Sequence, residues 1–184
     1  MIVVKNKADC CGCTACYSVC PQKAISMQQD QEGFLYPFVE ISKCIDCKLC
    51  DSACPIENKV ESKMFDRKAY VLRAKDVGIV STSTSGGFVT PLGEWILNQG
   101  GVICGATYNE EYKVVHKISG GAEEFRGSKY VQSDLGDSFS EIKKHLMHDT
   151  KVCFIGTPCQ VYGLKSYLRI EYDNLVTVDL VCHG

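Results

Sequence analysis

Residues 10–21 read CCGCTACYSVCP, and residues 44–55 read CIDCKLCDSACP. Both stretches keep the spacing C-x2-C-x2-C-x3-C-P, and each position of the second lies 34 residues after its counterpart in the first. The repeated cysteines are Cys10, Cys13, Cys16 and Cys20 in the first copy and Cys44, Cys47, Cys50 and Cys54 in the second. Short strands are expected near 24–27 and 34–41. The repeat therefore predicts a small module of two similar halves over residues 1–58.

The distribution of cysteine distinguishes this module from the rest of the chain. Of the 13 cysteines in 184 residues, nine fall in the first 54 residues and four in the remaining 130. Residues 59–68 are polar and predict a linker, which leaves residues 69–184 as a second domain. The chain has 20 Lys and Arg against 22 Asp and Glu, a net charge of −2. No basic surface is implied, so we expect no nucleic-acid partner.

The N-terminal residues and the length of the apolar runs indicate the cellular compartment. The first residues, MIVVKNKADC, have no apolar segment with a cleavage site, so we expect no secretory signal. No apolar run approaches the roughly 18 residues of a membrane span. We expect a cytoplasmic protein, where dense cysteine indicates metal binding rather than disulfides.

The repeated spacing is that of the bacterial ferredoxins, which hold two 4Fe-4S clusters. Three thiolates on a tight loop reach three corners of one cluster, and the fourth ligates the other cluster. We expect that fourth cysteine to begin a helix. One predicted cluster therefore has the ligands Cys10, Cys13, Cys16 and Cys54. The other has Cys44, Cys47, Cys50 and Cys20.

One alternative metal and one unassigned cysteine stand beside this assignment. Structural zinc also uses cysteine, although its paired C-x2-C arms are separated by longer gaps. Cys11 lies within the first motif but does not fit its spacing, and we interpret it as a small buried residue.

The second domain has the pattern of an α/β fold, so the whole chain is predicted to be α+β. Strands are expected at 69–74, 102–108 and 113–118, and helices at 88–98 and 138–148. The clearest unit is a strand, helix and strand over 151–181, the length of a βαβ unit. Cys159 and Cys182 follow its two strands, so both would lie at the carboxyl edge of the sheet, where α/β proteins bind ligands. The alternative for both is a buried thiol, the interpretation we prefer for Cys104 and Cys153.

Two polar stretches are candidate binding loops. Residues 83–87, STSGG, precede a predicted helix and resemble an anion-binding loop, although small residues also cap helices. Residues 127–133, GSKYVQS, suit a nucleotide phosphate or ring, or equally a surface loop. His183 is either a proton donor beside Cys182 or a solvated side chain. No catalytic acid or base is identified.

Taken together, these motifs resemble the family of coenzyme F-420 hydrogenase/dehydrogenase beta subunits, in its forms with an N-terminal two-cluster module. The matching stretches are STSGG at 83–87, GSKYVQS at 127–133, GTPCQ at 156–160 and VDLVCHG at 178–184. The resemblance implies a flavin-binding type of second domain and an FAD site at Ser85, Gly86, Gly87, Gly127, Ser128, Lys129, Tyr130 and Gln132. It also implies that Cys159 and Cys182 ligate a third 4Fe-4S cluster.

Family members continue past the last of these motifs, so the resemblance implies a second domain that is incomplete here. The third cluster would need ligands that this chain does not contain.

The resulting hypothesis is an iron–sulfur flavoprotein oxidoreductase, or a segment of one. Electrons would pass between the clusters and a flavin that exchanges hydride with a substrate. Its partners would be a redox protein or a small-molecule hydride donor or acceptor. The alternative is a ferredoxin-like electron carrier, or a subunit that docks on a partner redox enzyme. Zinc stabilisation of an interaction module is a third hypothesis.

Overall fold

The computed structural model describes residues 1–58 and 68–181. The N-terminal module has two short helices, α1 (Ala15–Val19) and α2 (Leu49–Ala53). Between them lies an antiparallel hairpin of β1 (Ile25–Gln29) and β2 (Leu35–Val39). A single 3-10 turn precedes each cysteine motif, at Lys7–Asp9 and at Ile41–Lys43. The 34-residue repeat of the sequence is thus a repeat of structure.

The two motifs also share an unusual backbone. The residue two after the first cysteine has a left-handed φ in both copies, +63° at Gly12 and +49° at Asp46. The residue four after it does too, +59° at Thr14 and +62° at Lys48. Such residues reverse the direction of the chain locally. They curl each loop, and the three cysteines of each loop border one cavity.

The second domain is a four-stranded sheet with helices on both faces. Its helices are α3 (Val77–Ser81), α4 (Val89–Leu97), α5 (Ser138–Met147) and α6 (Pro158–Leu168). Its strands are β3 (Val102–Tyr108), β4 (Val114–Ser119), β5 (Val152–Gly156) and β6 (Leu175–Asp179). The strand order is β4-β3-β5-β6, and only the β3–β4 pair is antiparallel. The predicted βαβ unit and the predicted α+β class are both confirmed.

Strand β5 shows how the sheet separates two cores. Val152 and Phe154 pack on the α5 and α6 side, whereas Cys153 and Ile155 pack on the α4 side. This alternation follows from the two-residue period of a strand, and burial on both faces explains its unbroken apolar run. Cys104 and Cys153 are fully buried, as expected.

The N-terminal module packs on the α5 and α6 side of the sheet. Its residues Cys13, Ala15 and Ala53 belong to the same buried cluster as the residues of α5 and α6, such as Phe139 and Leu164. The division of the chain at residues 59–68 stays a prediction, since 59–67 lie outside the described residues.

The structure corrects three expectations. Residues 69–74 form no strand, because they pair with no sheet strand and leave Tyr70, Val71 and Leu72 exposed. The sequence predicts a loop of small residues at 80–87, but helix α3 extends into its first two residues, and the side chain of Asp76 caps this helix. Cys20 and Cys54 do not begin helices. They end α1 and α2 instead, because a proline follows each and disfavours a helical conformation before it.

None of the helices in the described ranges is long and apolar enough to cross a membrane.

Candidate functional site

The eight repeated cysteines border two cavities. The first, the outer cavity, is bordered by Cys20, Cys44, Cys47 and Cys50. These are three cysteines of the second motif and the last cysteine of the first. Three main-chain N–H groups donate to their sulfur atoms: Ile2 to Cys50 at 3.2 Å, Ala24 to Cys20 at 3.3 Å and Asp46 to Cys44 at 3.4 Å. Cys47 is exposed to solvent.

The second, the inner cavity, is bordered by Cys10, Cys13, Cys16 and Cys54. It is the reciprocal set, three cysteines of the first motif and the last of the second. Cys13 and Cys16 are buried. The crossed grouping predicted from the sequence is therefore the grouping by cavity, since α1 and α2 each carry their final cysteine across to the other loop.

The four cysteines at each cavity form a donor set that suits an iron–sulfur cluster. Within residues 1–58 and 68–181, no three His, Cys, Asp or Glu side chains converge closely enough to hold one metal ion. A 4Fe-4S cluster makes a different demand, because it takes one thiolate at each of its irons and needs four thiolates spread around a cavity. Thiolates are also the ligands that iron–sulfur clusters prefer.

Burial favours the protonated form of two inner thiols, those of Cys10 and Cys16. It raises the pKa of Cys16 to about 12 and also raises the pKa of Cys10, and the nearby Cys54 thiol adds to both effects. A metal-bound thiol loses its proton outright. Loading of the inner cavity therefore releases protons and is weakened by acid.

Direct contacts join the inner cavity to the second domain. A methyl group at Gly163 of α6 would lie 2.8 Å from Cβ of Cys13 and 3.0 Å from its sulfur. Only glycine allows the helix to come so close. Polar contacts surround this point: Tyr17 donates to Asp137 at 2.9 Å, and Arg169 donates to Ser52 at 2.9 Å.

Cys11, which we expected to be only a small buried residue, lies at this junction. Its thiol interacts with the thiols of Cys13 and Cys159, and it also borders the inner cavity. Hydrogen bonding to Cys13 raises the pKa of Cys11 to about 12. Hydrogen bonding to Cys11, together with burial, raises the pKa of Cys159. The sequence holds no signal for this contact, because nothing in the spacing relates Cys11 to Cys159.

The two stretches expected to bind FAD are brought side by side. The Ser128 N–H donates to the hydroxyl of Thr84 at 3.1 Å, so the loop holding Ser85, Gly86 and Gly87 adjoins Gly127 and Ser128. Helix α4 starts just after this loop, and its N-terminus has no side-chain cap. Gly87 has a left-handed φ of +74° that directs the chain into this helix.

Two basic side chains adjoin these loops. Arg126, absent from the sequence-based set, donates to Thr82 at 3.2 Å and to Thr90 at 2.9 Å. Lys129 donates to the carbonyl of Arg126 at 2.9 Å, and burial lowers its pKa.

The remaining expected residues are placed apart. Tyr130 is exposed to solvent over 89% of its surface. Gln132 faces the N-terminal module, where its side-chain oxygen accepts from the Leu35 N–H at 3.0 Å and its amide lies against Gly12. Cys182 and His183 lie outside the described residues, so their predicted proximity to Cys159 stays a prediction.

Comparison with known proteins agrees with this picture. The 4Fe-4S dicluster domain family matches residues 9–58. A subunit of the F(420)H(2) dehydrogenase of Methanosarcina mazei is 24% identical over 94% of this chain and 53% of its own length. An uncharacterized ferredoxin of Methanocaldococcus jannaschii is 32% identical over 29% of this chain and 68% of its own. In the F420-reducing NiFe hydrogenase complex from Methanosarcina barkeri, a chain 23% identical superposes with a TM-score of 0.48, over 61% of this chain and 44% of its own.

The fold, the two cysteine-bordered cavities and the sequence matches define an iron–sulfur electron-transfer protein. Through residues 9–58 the chain belongs to the 4Fe-4S dicluster ferredoxin family. The resemblance to the coenzyme F-420 hydrogenase/dehydrogenase beta subunits is confirmed by the match to the F(420)H(2) dehydrogenase of M. mazei. The chain spans about half the length of that relative.

Proposed function

We propose that the chain is the electron-transferring segment of an iron–sulfur flavoprotein oxidoreductase. Its inner cavity holds a 4Fe-4S cluster on Cys10, Cys13, Cys16 and Cys54, and its outer cavity holds a second on Cys20, Cys44, Cys47 and Cys50. The observation that carries the proposal is the sorting of the eight cysteines into two cavities by the crossed pattern.

The surroundings of the cavities support an order for the two clusters. The outer cavity opens to solvent at Cys47, and the exposed side chain of Ile45 also borders it. Apolar side chains at an exposed redox centre suit contact with a partner protein. The inner cavity abuts α6 through Cys13 and Gly163. The outer cluster therefore exchanges electrons with a redox partner protein, and the inner cluster with the second domain.

We further propose that the second domain binds FAD at the junction of residues 83–87 and 127–129. The uncapped N-terminus of α4 presents N–H groups to an anion, and Arg126 and Lys129 add positive charge beside it. These groups suit the phosphates of FAD. When bound, FAD exchanges single electrons on one side and a hydride on the other. Ser85, Gly86, Gly87, Gly127 and Ser128 would approach the phosphates, whereas Tyr130 is free to cover the ligand.

The name of the M. mazei relative suggests the substrate class. An F(420)H(2) dehydrogenase takes reduced coenzyme F420 as its substrate. We propose a hydride-exchanging coenzyme of this kind as the substrate of the assembled enzyme. Cys159 and Cys182 as ligands of a third cluster remain part of this proposal, with further ligands supplied from outside this chain.

One anaerobic preparation tests these points together. Iron, acid-labile sulfide and flavin are measured on the same sample of the full chain. Two clusters predict about eight irons and eight sulfides. Near-stoichiometric FAD, lost in Arg126→Ala but kept in Lys113→Ala, supports the flavoprotein. Lys113 is a matched surface cation that pairs with Glu111 on an exposed turn.

Other results of the same experiment decide against parts of the proposal. Eight irons without flavin contradict the FAD site and leave an electron carrier or docking subunit. Zinc in place of iron and sulfide contradicts both functions.

A further inference from the structure

The two cysteine motifs differ in the residue that lies two positions after the first cysteine. This residue is Asp46 in the second motif and Gly12 in the first, and both have a left-handed φ. In the outer loop the Asp46 N–H donates to the sulfur of Cys44 at 3.4 Å, and the Asp46 carboxylate pairs with Lys48 at 3.0 Å. The position is therefore adjacent to the cluster ligands, and in the inner loop it carries no side chain.

A side chain of the second domain occupies the space beside Gly12. A methyl group at Gly12 would collide with the amide nitrogen of Gln132, and it would lie 3.0 Å from the carbonyl oxygen of Leu35. The side-chain oxygen of Gln132 accepts from the Leu35 N–H at 3.0 Å. Because the Leu35 N–H needs an acceptor, this bond fixes the amide with its oxygen at Leu35 and its nitrogen beside Gly12. The inner loop therefore has a neutral hydrogen-bond donor next to it.

The residues that follow Gln132 in the chain hold it in this place. The buried hydroxyl of Ser133 accepts from the side chain of Gln160 on α6 at 2.8 Å. The carbonyl of Asp134 accepts from the His116 N–H of β4 at 2.7 Å. Gln132 is thus attached to the sheet through its neighbours and to the module through its side chain.

We propose that Gln132 is a positioning residue that braces the inner cysteine loop at Gly12 and raises the reduction potential of the inner cluster. The inference rests on the proposed function, since it requires a cluster in the inner cavity. A cluster gains negative charge when it takes up an electron, and charges and hydrogen-bond donors around its sulfur atoms set its potential. An amide donor beside the loop favours the reduced form. Because Gln132 belongs to the second domain, it favours arrival of the electron at the cluster that faces this domain.

The experiment is a redox titration of the full chain, loaded anaerobically with iron and sulfide and followed by electron paramagnetic resonance. Each cluster takes up one electron from dithionite, and Cys47→Ala, which lacks a ligand of the outer cluster, identifies the titration curve of the inner one. Gln132→Glu keeps the shape of the side chain and adds a negative charge, whereas Gln132→Leu removes the amide. Low ionic strength and a pH of about 8 keep the new carboxylate ionised and weakly screened.

The expected result is a shift of the inner curve alone. At a given potential, Gln132→Glu should lower the ratio of reduced to oxidised inner cluster about tenfold, which corresponds to about 59 mV for one electron. Gln132→Leu should lower this ratio by a smaller factor, and it should also speed hydrogen exchange of the Leu35 N–H, which loses its acceptor. The matched control is Gln28→Glu, on an exposed position of β1 that borders neither cavity, and it should leave the inner curve unchanged.

Two results would overturn the inference. One is an inner curve that does not move in Gln132→Glu, because the contact would then be structural only, even if Gln132→Leu speeds hydrogen exchange. The other is an equal shift in Gln28→Glu, because any added charge would then act alike. Iron and sulfide are counted on the same samples. Fewer than about eight irons in the wild type contradicts the proposed clusters as well, whereas about eight irons with an unmoved curve contradicts only the role of Gln132.

Discussion

The outer and inner cavities come from one repeated motif, yet they lie in different surroundings. Their loops share the same 3-10 turns, the same left-handed residues and the same short helices. The outer cavity has the exposed Cys47 and three main-chain N–H groups on its sulfur atoms. The inner cavity has the buried Cys13 pressed against Gly163 of α6. The repeat thus specifies how cysteines are arranged, and the second domain decides which set lies against α6.

This difference explains how a symmetric module can serve a directional path. Two equivalent centres in one module have no preferred ends. In the function we propose, the cavity that packs against α6 exchanges electrons with the rest of the protein, and the other exchanges them with an external partner.

The largest effect is expected from substitution of one cysteine ligand at each cavity, which compares the two cavities directly. Cys13→Ala and Cys47→Ala should each lower the iron content from about eight to about four atoms. Cys13→Ala should also lower the free energy of unfolding more, because it removes a ligand that belongs to the core shared with α6. Iron analysis and chemical denaturation measure both. Equal destabilisation by the two variants would contradict the idea that burial distinguishes the cavities.

The next effect tests whether water is excluded from the side of the sheet on which the N-terminal module packs. His116 on β4 is buried, its Nε2 lies 3.0 Å from the Ile155 carbonyl, and burial lowers its pKa from 6.5 to about 4. Below pH 6.5 the His116 imidazole takes up a proton in the unfolded chain, whereas in the folded protein it stays neutral until the pH approaches 4. The contribution of His116 to stability is therefore complete above pH 6.5 and is lost as the pH falls, by about 3 kcal/mol near pH 4.

Denaturation curves at pH 7 and near pH 4 measure this loss in the wild type and in His116→Gln. The variant should lose less stability between the two pH values. An identical loss in both proteins would show that His116 is hydrated and that this side of the sheet is open to water.

A moderate effect is expected where α6 touches Cys13. Gly163→Val places methyl groups where Cys13 already lies, so we expect a loss of about 1–3 kcal/mol from overpacking. The matched control variant is Lys165→Val, at an exposed position of the same helix. It carries the same β-branched side chain without the clash. Thermal unfolding of both compares them, and a Gly163 variant no less stable than the Lys165 variant would show that the contact is loose.

The smallest effect concerns the polar contacts around the junction. Tyr17→Phe removes the hydroxyl that donates to Asp137, and should cost about 1 kcal/mol in unfolding free energy. Tyr112→Phe, on an exposed turn far from the module, should change stability by less than about 0.5 kcal/mol. If the two variants behave alike, the module is held by its apolar contacts alone.

Sequence periodicity predicted most of the regular elements. It placed β3, β4, α4, α5 and the β5-α6-β6 unit within one or two residues, because each has an apolar pattern suited to a buried face. It failed at residues 69–74, whose apolar side chains suggested a strand but are exposed. A strand exists only where a neighbour accepts its hydrogen bonds, and a short apolar run does not reveal whether one is present.

The candidate site, too, was predicted only in part from the sequence. The spacing of the cysteines was enough to predict the crossed sets, because ligand spacing acts through loops of a few residues. The contribution of Arg126 beside residues 83–87 was not predicted, since it arises from hydrogen bonds to Thr82 and Thr90, distant in sequence.

By itself, then, the sequence determined the 4Fe-4S class of the module and the α+β class of the chain, and it predicted the two groups of four cysteines. Those properties rest on local spacing and on periodic burial, which are written in consecutive residues. Only the tertiary structure decided that Cys13 lies against α6 and that Cys11 interacts with Cys159. Both depend on the close approach of α6, which Gly163 permits, and such an approach depends on packing between segments far apart in the chain.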